Sequence, residues 1–364
     1  MNLSSKIAFT APPSFQPDGS KSITWQSPSN IALVKYWGKH GIQLPDNPSL
    51  SLTLKNSVTV MELTAVASKP GQGILRAFYF ENQLNTAFAE RFGTFIQSLH
   101  PIIPFLADFD IVIRSHNTFP HSAGIASSAS GFSALALCIC TLQQLYLEIP
   151  LDEKQFLQTA SRIARLGSGS ACRSVYPGYS AWGKTSIFTG SHDEWAISVN
   201  DDIHSGFEDL GDAVLLVNTF PKAVSSSRGH ALMQQHPYRY ARVAQASGNL
   251  QLLANSLRQG DWDAFISITE NEALSLHALM MSSSPGFILM CAHTIDIIHR
   301  IRDFRQHAST PICFTLDAGP NVHLLYRKSD KNEIKHFIET ELLAFCEDGH
   351  WIDDEAGNGP KRLN

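Results

Sequence analysis

The stretch NTFPHSAGIASSASG, residues 117–131, decides how the rest of the chain is interpreted. It joins an apolar run typical of a strand (FDIVIRS, residues 109–115) to a run typical of a helix (residues 131–148). A loop of glycine and serine that leads into a helix start presents free backbone N–H groups and the positive end of the helix dipole. Such a loop binds anions, and phosphate above all.

Composition alone leaves a second interpretation open, in which these small residues form a turn and cap the helix. No Gly-Lys-Ser/Thr sequence closes the loop, as a Walker A motif requires, and the loop has no Gly-x-Gly-x-x-Gly pattern. If the loop binds phosphate, Gly124 lets the backbone approach the ligand closely. The hydroxyls of Ser127, Ser128 and Ser130 then reach phosphate oxygens or a phosphate-bound metal.

The length of 364 residues suggests two domains, and 43% apolar with 17% charged residues is typical of a soluble globular protein. A formal charge of -5 argues against general binding to nucleic acid or to an anionic membrane. No segment approaches about 18 consecutive apolar residues, and no signal peptide is evident. The six cysteines lack zinc spacing. We therefore expect a cytoplasmic protein with reduced thiols.

The pattern along the chain predicts an α+β protein, because antiparallel-looking strands are mixed with helices. Residues 1–22 are rich in serine, proline and glycine and are expected to form a loose arm. A first domain is expected at 23–205, with a turn at 27–30 after its first strand, and a second at 206–350 that opens with a buried strand. Residues 351–364 are predicted to be a polar, exposed tail.

Two segments of the first domain carry cations that could hold an anionic ligand. Lys35 and Lys39 lie four residues apart in an apolar stretch, and burying a lysine is costly without an anion. Their side chains could instead reach the surface. The turn at 165–174 places glycine and serine between two arginines, and amides, hydroxyls and a guanidinium together can hold a diphosphate. A flexible surface turn is the alternative.

The second domain adds two candidates. Asp317 follows an apolar run at a strand end, where a lone carboxylate is usually a turn former. A serine-rich segment at 225–229 precedes it in the chain and is commonly just a loop.

Together these segments resemble one family. Pro120-x-x-x-Gly124-x-x-Ser127-Ser128-Ala129 is similar to the phosphate loop of the small-molecule kinases of the GHMP superfamily. SNIALVKYWGK, FPHSAGIASSASG, ARLGSGSACRS and FTLDAGPN resemble segments of the diphosphomevalonate decarboxylases, in the same order. The segment WDAFISITENEALSLHALMMSSSP also resembles part of their second domain. The resemblance spans residues 25–325.

The resemblance implies a two-domain GHMP-kinase fold, with a first domain like ribosomal protein S5 domain 2, a ferredoxin-like second domain, and the active site between them. It implies an enzyme of the mevalonate pathway of isoprenoid biosynthesis. This enzyme converts mevalonate 5-diphosphate and ATP to isopentenyl diphosphate, ADP, phosphate and carbon dioxide. Mg²⁺ would arrive with ATP, with Ser127 or Ser128 as its candidate ligand, and the protein would be a homodimer without nucleic-acid or membrane partners.

The implied site residues fall into three groups. The catalytic group is Asp317, Lys35 and Asn30. The group that binds substrate is Tyr36, Lys39, Ser168, Ser170, Arg173 and Ser225. The group that binds ATP is Asn117, Gly124, Ser127, Ser128 and Ser130.

The sequence departs from the family pattern at several positions: His40 and Gly41, His121 and Ser122, and Arg228 and His230. Three alternatives of activity stay open. A related kinase would phosphorylate mevalonate or its monophosphate without decarboxylation, and a related decarboxylase would act on the monophosphate. A catalytically silent paralogue should lack Asp317 or the lysines, and this chain has them all.

Overall fold

The computed structural model describes residues 19–120, 125–148, 151–219, 224 and 226–364. The expected loose arm lies outside these residues up to position 18, and so do Gly124 and Ser225 of the candidate site. The predicted α+β class is confirmed, because the described chain contains two main β-sheets together with α-helices.

The first sheet has eight strands in the described residues, and its main path runs β14-β1-β4-β7-β5-β6. Two long antiparallel strands, β1 (Ser20–Val34) and β4 (Ser49–Ala67), form its centre. Along the second half of β4 every other residue is buried, which is the period of two that predicted a strand. The other strands are β5 (Leu75–Phe80), β6 (Gln83–Leu84), β7 (Phe109–Asn117), β8 (Tyr179–Trp182), β9 (Ala196–Ser198) and β14 (Lys361–Arg362).

Two expectations about the start of this sheet are wrong. The predicted turn at 27–30 is a register shift between Pro28 and Asn30 inside one continuous strand. Proline has no N–H to donate, so the ladder is interrupted there without the chain reversing. Order also begins before Ile23, because Ser20 already pairs with Val66.

Three helices belong to the first domain: α1 (Thr86–Leu99), α2 (Ser127–Leu147) and α3 (Glu153–Gly167). Helix α2 begins four residues before the predicted start at Gly131, after Ala126 in the left-handed conformation (φ 41°). By length and composition α2 could cross a membrane, which a count of consecutive apolar residues did not reveal. Since 89% of its most apolar window is buried inside the protein, α2 is a core helix.

The second domain is a sheet of four strands, within the described residues, in the order β11-β12-β10-β13. Its strands are β10 (Leu210–Leu215), β11 (Ile312–Thr315), β12 (Val322–Arg327) and β13 (Trp351–Glu355). The buried strand predicted to open this domain is therefore confirmed as β10. Its helices are α4 (Ser226–Leu232), α5 (Arg239–Gln259), α6 (Trp262–Met281), α7 (Ala292–Ala308) and α8 (Lys331–Phe337).

The prediction of an exposed tail at 351–364 is wrong. Strand β13 pairs with β10, and β14 pairs with β1 of the first sheet, so the C-terminal segment joins both domains. The polar composition misled because β13 is an edge strand, where acidic side chains alternate toward solvent.

One of the apolar clusters lies between the two domains. Residues of β1, β4, β10, α5 and α6 pack together in it. The buried Asp354 of β13 accepts hydrogen bonds from the backbone N–H groups of Lys55, Asn56 and Ser57, each at 2.8 Å. A small two-stranded sheet, β2 (Lys39–His40) with β3 (Leu44–Pro45), borders a cleft between the domains.

Candidate active site

The cleft is open to solvent, and its cavity volume is about 140 Å³. Both domains contribute to it. Of the residues implied by the family resemblance, it brings together nine: Asn30, Lys35, Tyr36, Lys39, Ser128, Ser168, Ser170, Arg173 and Asp317.

At the domain boundary of the cleft, Lys35 Nζ lies 3.1 Å from Asp317 Oδ1. Lys35 directly follows β1 and is almost fully buried, whereas 26% of the Asp317 side chain is exposed. Burial lowers the pKa of Lys35, and the nearby Asp317 carboxylate opposes that shift. His277 also contacts Asp317, with 3.1 Å between its Nε2 and the backbone carbonyl oxygen. The site thus holds an ion pair whose carboxylate is partly exposed in the cleft.

Behind this pair, Asn30 and Arg173 support the glycine/serine turn. Asn30 Nδ2 donates to Ser174 Oγ at 2.8 Å, and Arg173 Nε donates to Asn30 Oδ1 at 3.3 Å. Arg173 Nη1 donates to Ser49 Oγ at 2.5 Å. The turn itself is a 3₁₀ helix, Gly169–Val175, whose residues are nearly all buried. The alternative of a flexible surface turn is therefore wrong.

The polar groups beside this turn suit an anion. Tyr36 Oη is buried without a hydrogen-bond partner among the described residues. Burial raises the pKa of Tyr36, so its hydroxyl stays protonated and can donate. A Cβ at Gly169 would lie 2.9 Å from Tyr36 Oη, so only glycine lets the two segments approach so closely. Lys39 Nζ, whose pKa burial lowers, binds Gln43 Oε1 at 2.9 Å.

The start of α2 lies between the cleft and a second, smaller pocket. Asn117, Ser127 and Ser128 line this second pocket together with several phenylalanine rings. Ser128 borders both, and its hydroxyl lies 3.3 Å from that of Ser168. Ser128 of the phosphate loop and Ser168 beside the glycine/serine turn are therefore direct neighbours.

Ser130 does not reach either pocket. Its side chain is fully buried, with its Oγ 2.6 Å from Thr59 Oγ1 and 3.2 Å from the Ser127 carbonyl oxygen. Because α2 starts at Ser127, Ser130 is turned toward the core, away from both pockets.

Two cleft residues were missed as ligands by sequence reasoning. Arg91 of α1 borders both pockets, with its guanidinium 5.0 Å from the centre of the Phe132 ring, and no local motif marks it. His230 of α4 packs on Tyr36 and Trp37, with ring centres 4.3 and 4.6 Å apart. His230 Nδ1 accepts the Gly38 N–H at 3.0 Å, and burial lowers its pKa to about 3. In the sequence, the departure of His230 from the family pattern was the one feature that marked this residue.

A two-domain α+β fold with a glycine/serine phosphate loop at an interdomain cleft defines the GHMP class of proteins. The model of the diphosphomevalonate decarboxylase-like N-terminal domain matches residues 27–193, and that of the mevalonate 5-diphosphate decarboxylase C-terminal domain matches residues 213–356. The chain belongs to the diphosphomevalonate decarboxylase family.

Relatives and solved structures agree with this assignment. Diphosphomevalonate decarboxylase of Saccharomyces cerevisiae is 31% identical over 329 residues, which are 86% of this chain and 79% of the relative. A crystal structure of mevalonate diphosphate decarboxylase from Staphylococcus aureus is 27% identical with a TM-score of 0.78, covering 95% of this chain and 98% of that one. The two-domain GHMP fold predicted from the motifs is therefore confirmed.

One further similar structure bears on ligands. It is described as MDDEF in complex with MVAPP, AMPPCP and magnesium, is 26% identical, has a TM-score of 0.80, and covers 95% of this chain and all of that one. The family predicted from the motifs and its ATP-dependent decarboxylase activity are confirmed by the family models and the curated relative. The ligands of that similar structure are of the kinds that the motifs predict for this chain, ATP with Mg²⁺ and a mevalonate diphosphate.

Proposed function

We propose that this cleft decarboxylates mevalonate 5-diphosphate, with Asp317 as the base and Lys35 as the neighbouring cation. The observation that carries the proposal is the 3.1 Å contact between Lys35 Nζ and Asp317 Oδ1, made across the domain boundary beside Arg173 and the serine turn. A buried cation next to a partly exposed carboxylate keeps that carboxylate ionised and ready to accept a proton.

The chemistry follows from the difficulty of the leaving group. Asp317 accepts the proton of the substrate's tertiary hydroxyl. The oxygen of that hydroxyl bonds to the γ-phosphorus of ATP, and ADP leaves. The C–O bond then breaks, phosphate departs with the electron pair, and positive character develops at the tertiary carbon. The bond between the carboxylate carbon and its neighbour breaks next, its electrons form the new C=C bond, and carbon dioxide leaves. Lys35 and Arg173 supply fixed positive charge near these anions.

The substrate diphosphate is assigned to Tyr36, Lys39, Ser168, Ser170 and Arg173. This assignment is supported by the buried Tyr36 hydroxyl and by the clustering of all five residues in one cleft. Two cations and three hydroxyls match the charge and the acceptor oxygens of a diphosphate. Asn30 orients Arg173 from behind, as their 3.3 Å hydrogen bond indicates.

ATP is assigned to the start of α2, with its phosphates at Ser127 and Ser128 and with Asn117 beside them. Among the described residues no cluster of three or more His, Cys, Asp or Glu side chains could hold a metal. Mg²⁺ is usually held through phosphates and few protein groups, and it would neutralise phosphate charge when bound with ATP. The hydroxyls of Ser127 and Ser128 are of the right chemistry to complete its shell.

One finer alternative, a decarboxylase of the monophosphate, differs in the substrate it prefers. The test is incubation with ATP and each mevalonate phosphate, measuring ADP and carbon dioxide together. We expect one carbon dioxide per ADP, with the diphosphate much preferred. ADP without carbon dioxide would indicate a kinase, and preference for the monophosphate would contradict the diphosphate assignment.

We also propose that the two domains, predicted at 23–205 and 206–350, meet at residues 205–206, and that the protein is a cytoplasmic homodimer. The boundary is supported by the gap between the two family matches, which lies at 194–212. The pairing of Ser20 and of β13 extends the two folded units slightly beyond these bounds. Light scattering on the purified protein tests the oligomeric state, and a mass of one chain would contradict the dimer.

A further inference from the structure

Lys35 stands where strand pairing has ended. Val34 is the last residue of β1 paired with β4, through Leu50. The backbone N–H and C=O of the next residue need other partners, because buried backbone groups are rarely left without hydrogen bonds. Most of these partners belong to the second domain.

The N–H of Lys35 donates to Glu272 Oε2 at 2.8 Å, and its carbonyl oxygen accepts from Arg242 Nη2 at 3.0 Å. Glu272 lies on α6 and Arg242 on α5. The carbonyl also accepts from Asn47 Nδ2 at 3.0 Å, which is the one contact of this set from the first domain. The second domain therefore holds the peptide groups on both sides of the Lys35 side chain.

The two clamping side chains are themselves locked. Arg242 Nη1 donates to Glu272 Oε1 at 2.7 Å and Nη2 donates to Glu272 Oε2 at 2.6 Å, while Asn249 Nδ2 donates to Oε1 at 2.6 Å. The exposed fractions are 1% for the Arg242 side chain and 0% for that of Glu272. A buried bidentate ion pair is held in one geometry, so it also fixes the Lys35 peptide groups that are hydrogen-bonded to it.

We propose that the Arg242–Glu272 pair is a positioning device that fixes the backbone of Lys35, so that its ammonium group meets Asp317. The device rests on the proposed function of this site. It gives a role to the segment around Glu272, which resembles the family without containing a residue assigned to ligand binding. Asp317 also belongs to the second domain. The second domain therefore holds both the backbone of Lys35 and the carboxylate that the Lys35 side chain contacts.

The charges of Glu272 and Arg242 also agree with a positioning role for this pair. The negative charge of Glu272 raises the pKa of Lys35, although less than burial lowers it and less than Asp317 raises it. Burial alone would raise the pKa of Glu272, but the Arg242 guanidinium holds it below its usual value, so the carboxylate stays charged. Within this cluster the facing charged groups are Lys35, Arg173, Arg242, Glu272 and Asp317, and Asp212 of β10 also interacts electrostatically with Lys35.

The decisive variant is the double substitution Arg242→Met with Glu272→Leu. Replacing a buried pair by apolar residues of similar size usually preserves the fold, whereas removing one partner leaves a buried charge unpaired. We expect kcat to fall about 10–100-fold, the usual cost of a displacement near 1 Å, with KM for the diphosphate substrate changed less than threefold. A folded double variant with the kcat of the wild type would overturn the proposal.

The matched control is Glu270→Gln, on the same helix two residues earlier. Glu270 is also buried and ion-paired, with Arg302 and Arg305, but it has no hydrogen bond to Lys35 among those of the described residues. We expect Glu270→Gln to lower the melting temperature and to leave kcat and its pH profile unchanged. A drop in kcat equal to that of the double variant would mean that loss of any buried pair on α6 suffices, which overturns a specific role.

Two further variants separate the device from the function on which it rests. Glu272→Gln removes one negative charge near Lys35, so the alkaline limb of the kcat profile should move to lower pH, whereas simple destabilisation would leave the limb in place. Lys35→Met should abolish turnover. Retained turnover in Lys35→Met overturns the proposed function. Loss in Lys35→Met with an unshifted limb in Glu272→Gln overturns only the positioning device.

Discussion

Arg173 shows why a single side chain can serve both structure and ligand. Two of its nitrogens are committed to Asn30 and Ser49. These contacts orient the planar guanidinium at the edge of the cleft, where a diphosphate can accept from its remaining donors. Ammonium groups cannot reproduce this fork, so we do not regard lysine as a conservative replacement here.

We therefore predict that Arg173→Lys raises the KM for mevalonate 5-diphosphate at least tenfold and changes the KM for ATP less than threefold. The loss corresponds to one charge-assisted pair of hydrogen bonds, about 1.5–3 kcal/mol. Steady-state kinetics with each substrate varied in turn is the measurement. Equal impairment toward both substrates would mean that the two anion sites have been assigned the wrong way round.

Asp317 allows the sharpest test of chemistry. Substitution by Asn keeps the shape and can still accept from Lys35, but the amide cannot accept a proton at neutral pH. We predict that Asp317→Asn folds and binds both ligands nearly normally, with kcat lowered by about 10²–10⁴. Single-turnover ADP formation and nucleotide binding should be followed together. A stable and fully active variant would refute the role as base.

His230 links the cleft to acid stability. Burial lowers its pKa to about 3, with Lys39 and Arg173 adding to the shift, whereas an unfolded histidine titrates near 6.5. Between these two pH values the unfolded chain binds a proton that the folded chain does not, so stability falls as pH decreases through that window.

We predict that the free energy of unfolding of the wild type drops by about 2 kcal/mol more than that of His230→Asn between pH 7 and pH 5. Asn is chosen because its Oδ1 can still accept the Gly38 N–H that His230 Nδ1 accepts. Urea unfolding at both pH values gives the difference. Parallel pH dependence in the two proteins would show that His230 is protonated as readily in the folded state as in the unfolded one.

At the level of elements, the start of α2 organises the two pockets. Ser127 borders the smaller pocket and Ser128 borders both, while Ser130 is turned into the core. We predict that Ser127→Ala and Ser128→Ala each weaken ATP use by about 1.5–3 kcal/mol in kcat/KM, the worth of one charge-assisted hydrogen bond. Ser130→Ala is the control, and it should lower thermal stability while leaving the kinetics intact. The assignment fails if neither pocket serine affects ATP.

The positions of these serines mark the limit of local sequence patterns. One cleft brings together Ser128 of the loop, residues of the glycine/serine turn and Asp317, which separate motifs had marked in the sequence. Whether Ser130 faces a ligand depends on where α2 begins, and an unusual left-handed Ala126 shifts that start by four residues. A left-handed alanine is costly and is held by its tertiary surroundings, so no propensity argument predicts it.

Long-range contacts account for the other differences. Pro28 and the polar residues around it are typical of a turn, but β4 provides a partner along almost the whole of β1 and keeps the strand continuous. The acidic C-terminal residues are typical of an exposed tail until β10 is seen to pair with them. Neither partner is near in sequence, so only the assembled fold distinguishes a turn from a bulge or a tail from an edge strand.

In the whole molecule, the C-terminal segment ties the second domain to the first. Asp354 is 1% exposed and receives the N–H groups of Lys55, Asn56 and Ser57 through both of its oxygens. This contact and the clamp on Lys35 lie at separate places on the domain interface, so they should be separable by mutation. One would then maintain stability and the other turnover.

We predict that Asp354→Asn lowers the free energy of unfolding by about 1–3 kcal/mol, because the amide NH₂ then faces a buried N–H donor that is left without an acceptor. The neighbouring Asp353→Asn is the control. Its ion pair with Lys331 spans 2.8 Å and is 41% exposed on the carboxylate side, so its loss should cost less than about 1 kcal/mol. Well below the melting temperature both variants should keep the kcat of the wild type, because Lys35 and Asp317 are held by other contacts. Urea unfolding and steady-state kinetics on the same preparations measure the two quantities. If Asp354→Asn loses turnover in proportion to stability, the interface behaves as one unit, and the separation of the two contacts is wrong.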